Sequence, residues 1–381
     1  MSRILLIAEK FPPDIGGVAV SAKRIYENLK QLGVRVDLVV WSRYLQPGEI
    51  VKDKNVYRLG LFRNWDMTSI HTLNLLESLH QQFKYDLVWG HYLFPAGFLS
   101  VWFAKLHGLR SLVSARGNDI DRQVFPPGDF ARLRWTLENA TLSTAVSDDL
   151  SQKIELICGR KDTIVLKNAV DTDIFIPSIS SQVKQELKAQ LGIQANELVL
   201  GFSGELRAKK GQDFLLSALS QVREKHPACL LIIGEIRPTQ ESILASYKMQ
   251  HPEDSQRIII TEHISQPHQI AQYLQLCDLF LLPSIWEGLP NALLEAMACG
   301  CCSLASDAGG IPEIIEHGVN GFILSRHKLQ HLGMAISEFW ELERETVEQI
   351  RMKSRDRILS EFSLPAERVR LQQVLNRLDI A

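Results

Sequence analysis

Two glutamates eight positions apart, Glu287 and Glu295, bracket the string Gly-Leu-Pro-Asn-Ala-Leu-Leu, which comes shortly after the apolar run Leu279–Leu282. The run reads as a buried strand, and Pro290 suits the first turn of a helix. Gly288 lets the backbone come close to a ligand. The amides near Leu289–Asn291 can then point at an oxyanion or a sugar hydroxyl, since a helix N-terminus beyond a strand leaves N–H groups unsatisfied. Glu295 falls about five residues into that helix, roughly 7–8 Å along its axis. There it can accept hydrogen bonds from a vicinal diol such as a ribose, while Glu287 in the loop reaches another hydroxylated group. Carboxylates this far apart suit polar recognition better than a shared proton. The spacing alone does not separate this reading from a solvated helix start with two surface glutamates.

A second cluster, Phe202-Ser-Gly204-Glu-Leu-Arg207-Ala-Lys-Lys210-Gly211, is a strand running into a basic loop. Its cations can neutralise a diphosphate leaving group, Arg207 as a planar fork and Lys210 as a point charge. A third, Asp14-Ile-Gly16-Gly17, lies between the first strand and its helix; by itself it is only a turn. Two further loops follow strands: Gly90-His91-Tyr92-Leu-Phe-Pro-Ala-Gly97, and Ser114-Ala-Arg116-Gly-Asn-Asp119-Ile-Asp121. Phe130-Ala-Arg-Leu-Arg-Trp135 is either an aromatic and basic patch facing an anionic or lipid-linked molecule, or an amphipathic helix face. Asp119-Ile-Asp121 and Asp171-Thr-Asp173 both match D-x-D, a metal-holding pattern in other folds.

The elements that must position these residues follow a repeating order of short β-branched run, Gly- or Asp-containing turn, and helix-period segment. Arg3–Ala8 is a strand, and the helix after it carries Ala22, Ile25, Leu29 and Leu32 on one face, with Gly33 as its stop. Val34–Val40, Asp86–Trp89, Ser111–Ser114 and Leu142–Ala145 are further strands. Around Asn168–Pro177 the chain leaves regular structure and passes a polar helix, Ser181–Gln190. It then starts again with strands Leu198–Ser203, Cys229–Ile233, Arg257–Thr261, Leu279–Leu282, Ser303–Ala305 and Gly321–Leu324. The expected fold class is α/β: two Rossmann-like, doubly wound parallel units over 1–170 and 171–360, facing a central cleft. A last helix, Leu364–Leu378 within 361–381, is free to pack on either unit.

Composition narrows the class. Hydrophobic residues at 45% and charged residues at 23% suit globular domains rather than disorder. The first ten residues are too short and too charged for a signal peptide, and the apolar stretch Leu93–Ala104 falls short of the roughly 20 residues of a spanning helix. Six cysteines lack both zinc spacing and a paired framework, so they read as buried thiols of a reducing cytoplasm. The net charge of -2 divides into +5 over residues 1–170 (22 Lys/Arg, 17 Asp/Glu) and -7 over the rest (20 against 27). That is too mild for nucleic acid, yet it lets the first half face an anionic acceptor or the inner face of a membrane.

The strings above resemble the retaining glycosyltransferases of family 4, which have the GT-B architecture. Glu287-Gly-Leu-Pro-Asn-Ala-Leu-Leu-Glu295 is similar to the family's E-G-x-P-x-x-x-x-E. Asn168-Ala-Val-Asp-Thr-Asp-Ile-Phe175 is similar to N-G-V-D-x-x-x-F, with Ala169 for glycine. Ser306-Asp-Ala-Gly-Gly-Ile-Pro-Glu313, Gly318-Val-Asn-Gly321 and Thr144-Ala-Val-Ser147 follow in kind, in the expected order over nearly the whole chain.

The resemblance implies transfer of a hexosyl unit from a nucleotide-diphosphate sugar to a hydroxyl of a glycan, a lipid-linked molecule or a small molecule. Transfer would be front-face, with the departing diphosphate helping to deprotonate the acceptor and no metal or cofactor involved. Glu295 would bind the donor ribose, with Glu287, Gly204, Gly288, Leu289, Pro290 and Asn291 near sugar and diphosphate. Gly16 and Gly17 would approach the phosphates, and His91, Arg116 and Asp119 the acceptor. Two departures stand out: Glu205 occupies the place of the family's arginine, leaving Arg207 to supply the guanidinium beside Lys210, and Arg116 replaces a histidine. Donor base, sugar, acceptor and oligomeric state are not fixed by the sequence. A nucleotide-sugar-binding protein without transferase activity and a sugar-nucleotide epimerase on the same fold are the other readings.

Overall fold

In the computed structural model, which describes residues 2–122, 124–177, 180–236 and 238–380, the first strand already shows how one unit is layered. In β1 (Arg3–Ala8) every residue from Ile4 onward is fully buried, so both of its faces are covered. Ile4, Leu6 and Ala8 enter one apolar cluster, and Leu5 and Ile7 enter another on the opposite face, as the two-residue period of a strand requires.

The chain divides into two compact units, one of residues 1–168 with 365–381, the other of 169–364. The first unit continues through α1 (Gly17–Gln31), β2 (Arg35–Ser42), β3 (Ile50–Asp53), β4 (Val56–Gly60), α2 (Trp65–Phe83) and β5 (Leu87–His91). After a tight turn over Leu93–Gly97 come α3 (Phe98–His107), β6 (Arg110–Ala115), the single turn α4 (Asn118–Asp121), α5 (Pro127–Asn139), β7 (Leu142–Ala145), α6 (Asp148–Cys158) and the short β8 (Ile164–Val165). The strand order is β3-β4-β2-β1-β5-β6-β7-β8. All neighbours are parallel except β3 and β4, which pair antiparallel. The parallel sheet expected from the sequence is present, with this antiparallel pair added at its edge. Lys54 and Asn55 close a tight hairpin, and β3 is exposed at every position, so its charged pattern carried no buried-strand signal.

The second unit runs through α7 (Ser181–Gln190), β9 (Leu198–Ser203), α8 (Gln212–Arg223), β10 (Ala228–Ile233), α9 (Pro238–Gln250), α10 (Pro252–Ser255), β11 (Ile258–Ile260), α11 (Pro267–Leu274) and β12 (Leu279–Leu282). It ends with α12 (Asn291–Ala298), β13 (Cys302–Ser306), β14 (Phe322–Leu324), α13 (Leu332–Trp340) and α14 (Arg344–Glu361). Its sheet is all parallel, in the order β11-β10-β9-β12-β13-β14. Two local expectations shift. Pro290 stands just before α12 with an extended ψ of 117°, so it caps the helix rather than filling its first turn. The strand read as Ser303–Ala305 is longer by a residue at each end, β13 running from Cys302 to Ser306.

The last helix, α15 (Leu364–Arg377), returns to the first unit. Leu371, Val374, Leu375 and Leu378 join the cluster that Ile4 and Leu6 share with Ile25 and Leu29 of α1. One face of the first sheet is therefore covered by the first and the last helix together. Among the described residues no helix is long and apolar enough to cross a membrane.

Candidate functional site

In each sheet the winding reverses at one place, and in open α/β sheets the loops leaving the two strands at that place form the ligand crevice. In the second unit the reversal lies between β9 and β12, which pair directly. The loop after β9 carries Gly204, Arg207 and Lys210, and the loop after β12 carries Ser284 and Glu287. The two meet: Lys210 Nζ forms an ion pair with Glu287 Oε1, and Ser284 Oγ donates to the same oxygen at 2.7 Å. Glu287 Oε2 accepts no hydrogen bond among the described residues. Burial alone would push the Glu287 carboxyl up; Lys210, Lys209 and Ser284 outweigh it and hold Glu287 below the usual carboxylate range.

Backbone packing fixes this pair. Ile285 N donates to Lys209 O at 2.8 Å. A Cβ on Gly211 would meet Pro283 O at 2.0 Å, and one on Gly309 would meet Glu287 O at 1.9 Å; both glycines have positive φ, +77° and +51°. Ser306 Oγ donates to Ser284 O at 2.6 Å, and Gly310 N to Gly288 O at 2.8 Å. Glu287 is thus wedged between the β9 loop and the Ser306–Gly310 loop, while Gly288, Leu289 and Pro290, all buried, lead into α12. Glu295 lies one turn inside α12 and is half-buried. Asn291, at the first position of that helix, keeps a buried Oδ1 with no hydrogen-bond partner. Arg207 is half-buried, and its guanidinium lies 3.3 Å from Glu205, so the residue in the family arginine's place draws on Arg207's charge.

Sequence reasoning missed Arg326. Its backbone N and its Nε donate to Asp307 Oδ1 at 2.9 and 3.0 Å, and its Nη1 donates to Ile285 O at 3.2 Å, tying the Ser284–Glu287 loop to the one that braces it. No motif marks it, because its partners lie 19 and 41 residues away. Gln212 was also missed: fully buried at the start of α8, it leaves both amide atoms without a hydrogen bond among the described residues.

In the first unit the reversal falls between β1 and β5. It brings the loop with Gly16 and Gly17 beside His91 at the end of β5. Gly16 precedes α1 with a φ of +114° and open space around the position a Cβ would take. One turn into α1, Ser21 Oγ lies 3.0 Å from His91 Nε2, while buried Nδ1 has no partner. Burial, with Arg116 and Arg24 nearby, pushes His91 far down, so the imidazole is neutral.

Asp119 is fully buried and accepts from the backbone N–H groups of Gly117 (2.7 Å), Arg116 (3.0 Å) and Leu93 (3.2 Å), which joins the two candidate loops. Burial nevertheless raises it to about 6. Arg116 is pushed down to about 9 by burial and by Arg24, and both guanidiniums donate to Asn168 Oδ1, at 2.8 and 2.9 Å. Arg24 also grips both oxygens of buried Glu367 on α15 at 2.9 Å. His91, Arg116 and Asp119 are therefore neighbours around one polar network, in which Ser21, Arg24 and Glu367 had no sequence signal.

The two D-x-D strings are otherwise engaged, Asp121 with Lys153 at 2.9 Å and Asp171 Oδ1 with the backbone of Asp173 at 3.0 Å. Among the described residues no three His, Cys, Asp or Glu side chains are grouped to hold a metal ion. Cys229, Cys277, Cys299, Cys301 and Cys302 are buried free thiols.

Two family models match the chain: glycosyl transferases group 1 over residues 183–357, and the glycosyl transferase 4-like domain over 16–168. Among curated proteins it is 25% identical to N-acetyl-alpha-D-glucosaminyl L-malate synthase of Bacillus anthracis, over 82% of this chain and 81% of that one. It is 26% identical to D-inositol 3-phosphate glycosyltransferase of Corynebacterium jeikeium, over 82% and 81%. Among solved structures, Anabaena HepE in complex with UDP and glucose superposes with a TM-score of 0.82 at 20% identity, over 99% of this chain and 100% of that one. Sucrose-phosphate synthase from Thermosynechococcus elongatus superposes with 0.81 at 18%, over 99% of each. With both sheets of the GT-B fold present and a family model matching within each unit, the chain belongs to the group 1 glycosyltransferases.

Proposed function

We propose that the second unit holds a nucleotide-diphosphate sugar and that the chain transfers its hexosyl group, with retention, to a hydroxyl of an acceptor held by the first unit. The observation that carries this reading is the Lys210–Glu287 pair at the winding reversal of the second sheet, beside the helix that presents Glu295. Lys210, held by Glu287 Oε1, is a cation fixed in advance where the diphosphate gathers charge, which lowers the barrier without reorganisation during the reaction. Glu287 Oε2 and Asn291 Oδ1 are left to accept from sugar hydroxyls, and the Glu295 carboxylate recognises the ribose. That HepE was solved with UDP and glucose supports a donor of this class.

Lys210, with a contribution from Arg207, does for the leaving group what a divalent metal does elsewhere, so turnover persists in EDTA. In the first unit the network of His91, Arg116 and Asp119, with Gly16 and Gly17 beside it, shapes the acceptor side. The test is to offer the purified protein a panel of nucleotide sugars, UDP-glucose first, and measure binding and slow donor hydrolysis. Binding of one donor that falls at least tenfold in both Lys210→Ala and Glu295→Ala supports the assignment; binding unchanged in those variants refutes it.

A further inference from the structure

One face of the first unit carries a continuous run of aromatic rings outside its core. From Trp65 at the start of α2 the centroids step 6.5 Å to Phe94, 6.1 Å to Phe98, and from there 5.9 Å to Trp102 and 5.3 Å to Trp135 on α5. The run starts at the edge of the sheet where His91 ends β5 and continues down the outer side of α3. Trp65 is 42% exposed, Trp102 40% and Leu106 67%, and Phe94, Phe98 and Trp135 are half-buried. Trp41, beneath the surface, packs edge-on against Trp65 at 5.3 Å. A contiguous exposed apolar surface of this kind marks an interaction site rather than scattered surface hydrophobics.

The charges decide what it meets. Arg132 lies 5.3 Å over the Phe94 ring, and Lys105 is exposed on the same side of α3 as Trp102 and Leu106. Asp129 and Glu138 are paired with Arg132 and Arg134. Arg63, Lys105 and Arg122 are exposed and make no ion pair among the described residues; of the exposed acids on this face Asp66 alone is likewise without an ion pair, as Glu138 is paired with Arg134 and Glu77 with His107, which leaves an excess of positive charge. A lysine amid tryptophans disfavours burial against another protein, because the centre of such an interface excludes charge. At a lipid headgroup layer the same arrangement is favourable: indole rings lie at the boundary, and Lys and Arg reach out to phosphates. We infer that this face, Trp65–Phe94–Phe98–Trp102–Trp135 with Leu106 and Lys105, docks the protein on an anionic lipid surface, with the acceptor end of the first unit beside the headgroups.

The test uses the full chain with vesicles of phosphatidylcholine alone and of equal parts phosphatidylcholine and phosphatidylglycerol. Co-sedimentation is expected with the anionic vesicles only, and brominated acyl chains in them should quench the tryptophan fluorescence. Trp102→Ser and Lys105→Glu should each weaken vesicle binding about tenfold, with nucleotide-sugar binding and melting temperature unchanged. That control separates this inference from the donor-site reading. No sedimentation with anionic vesicles, binding that ignores both variants, or binding without quenching would each overturn it. So would self-association abolished by Trp102→Ser in a protein that ignores vesicles, which would assign the face to a second copy of the chain.

Discussion

Two charges on opposite loops of the second unit depend on each other for position. Lys210 has Glu287 as its partner, and Glu287 carries Lys210 and Ser284 on one oxygen. Replacing Lys210 by Ala removes the cation and leaves a buried carboxylate with only the Ser284 hydrogen bond and the charge of Lys209 to offset its burial. Turnover should fall about 10²–10³-fold, and thermal stability should fall as well. Glu287→Gln should keep the fold and lose mainly turnover, and a kcat and KM comparison of the two variants checks this. Glu205 holds part of the Arg207 charge, so Glu205→Gln should tighten nucleoside diphosphate binding by a few-fold, about 0.5–1 kcal/mol, measurable by calorimetry.

His91 gives a pH signature. Its pKa lies well below 6.5 in the folded state and near 6.5 when unfolded, so below pH 6.5 the unfolded chain binds the extra proton and stability falls as pH drops. Asp119, raised to about 6, and Glu9, raised to about 8 by burial and Asp119, act in the opposite direction, their contributions falling as pH rises. The wild-type profile minus that of His91→Gln isolates the imidazole, with a limiting slope of about 1.4 kcal/mol per pH unit.

At the level of elements, what was legible in the sequence and what was not have distinct physical causes. Strands buried on both faces, such as Leu198–Ser203, Leu279–Leu282 and Leu142–Ala145, announced themselves as short apolar runs and matched to the residue. The β3–β4 hairpin did not: β3 is exposed at every position, and β4, though mostly buried, reads Val-Tyr-Arg-Leu-Gly, with a charge breaking its apolar run. Among site residues, those on glycine-punctuated strand ends were visible. Arg326, Arg24 and Glu367 were not, since each matters only through a partner distant in sequence.

The bracing by Arg326 yields a prediction at this scale. Arg326→Ala should loosen the Ser284–Glu287 loop and weaken donor binding, while Arg326→Lys, which cannot span Asp307 and Ile285 O together, should rescue little. Gly309→Ala is harsher: its methyl would lie 1.9 Å from Glu287 O at a positive φ, and a loss of about 2 kcal/mol or more is expected in chemical denaturation.

For the whole molecule, α15 matters most. Leu375 on it is fully buried against the sheet of the first unit, 207 residues beyond Asn168, where that unit's first stretch ends. Leu375→Ala should cost about 2–5 kcal/mol, and the loss should appear in the first unit. Limited proteolysis should then release fragments from residues 1–168 before any from 169–364.

Such a chain has an order of assembly written into it. Residues 169–364 are contiguous, so they can close their core as soon as they leave the ribosome. Residues 1–168 come out before them yet wait with one face of their sheet covered by α1 alone until 365–380 arrive, and Arg24 meets Glu367 only then. During synthesis the unit begun first is the one finished second, and in that interval the part of its Ile4–Leu6 face that α15 will cover is open to chaperones or to misassembly.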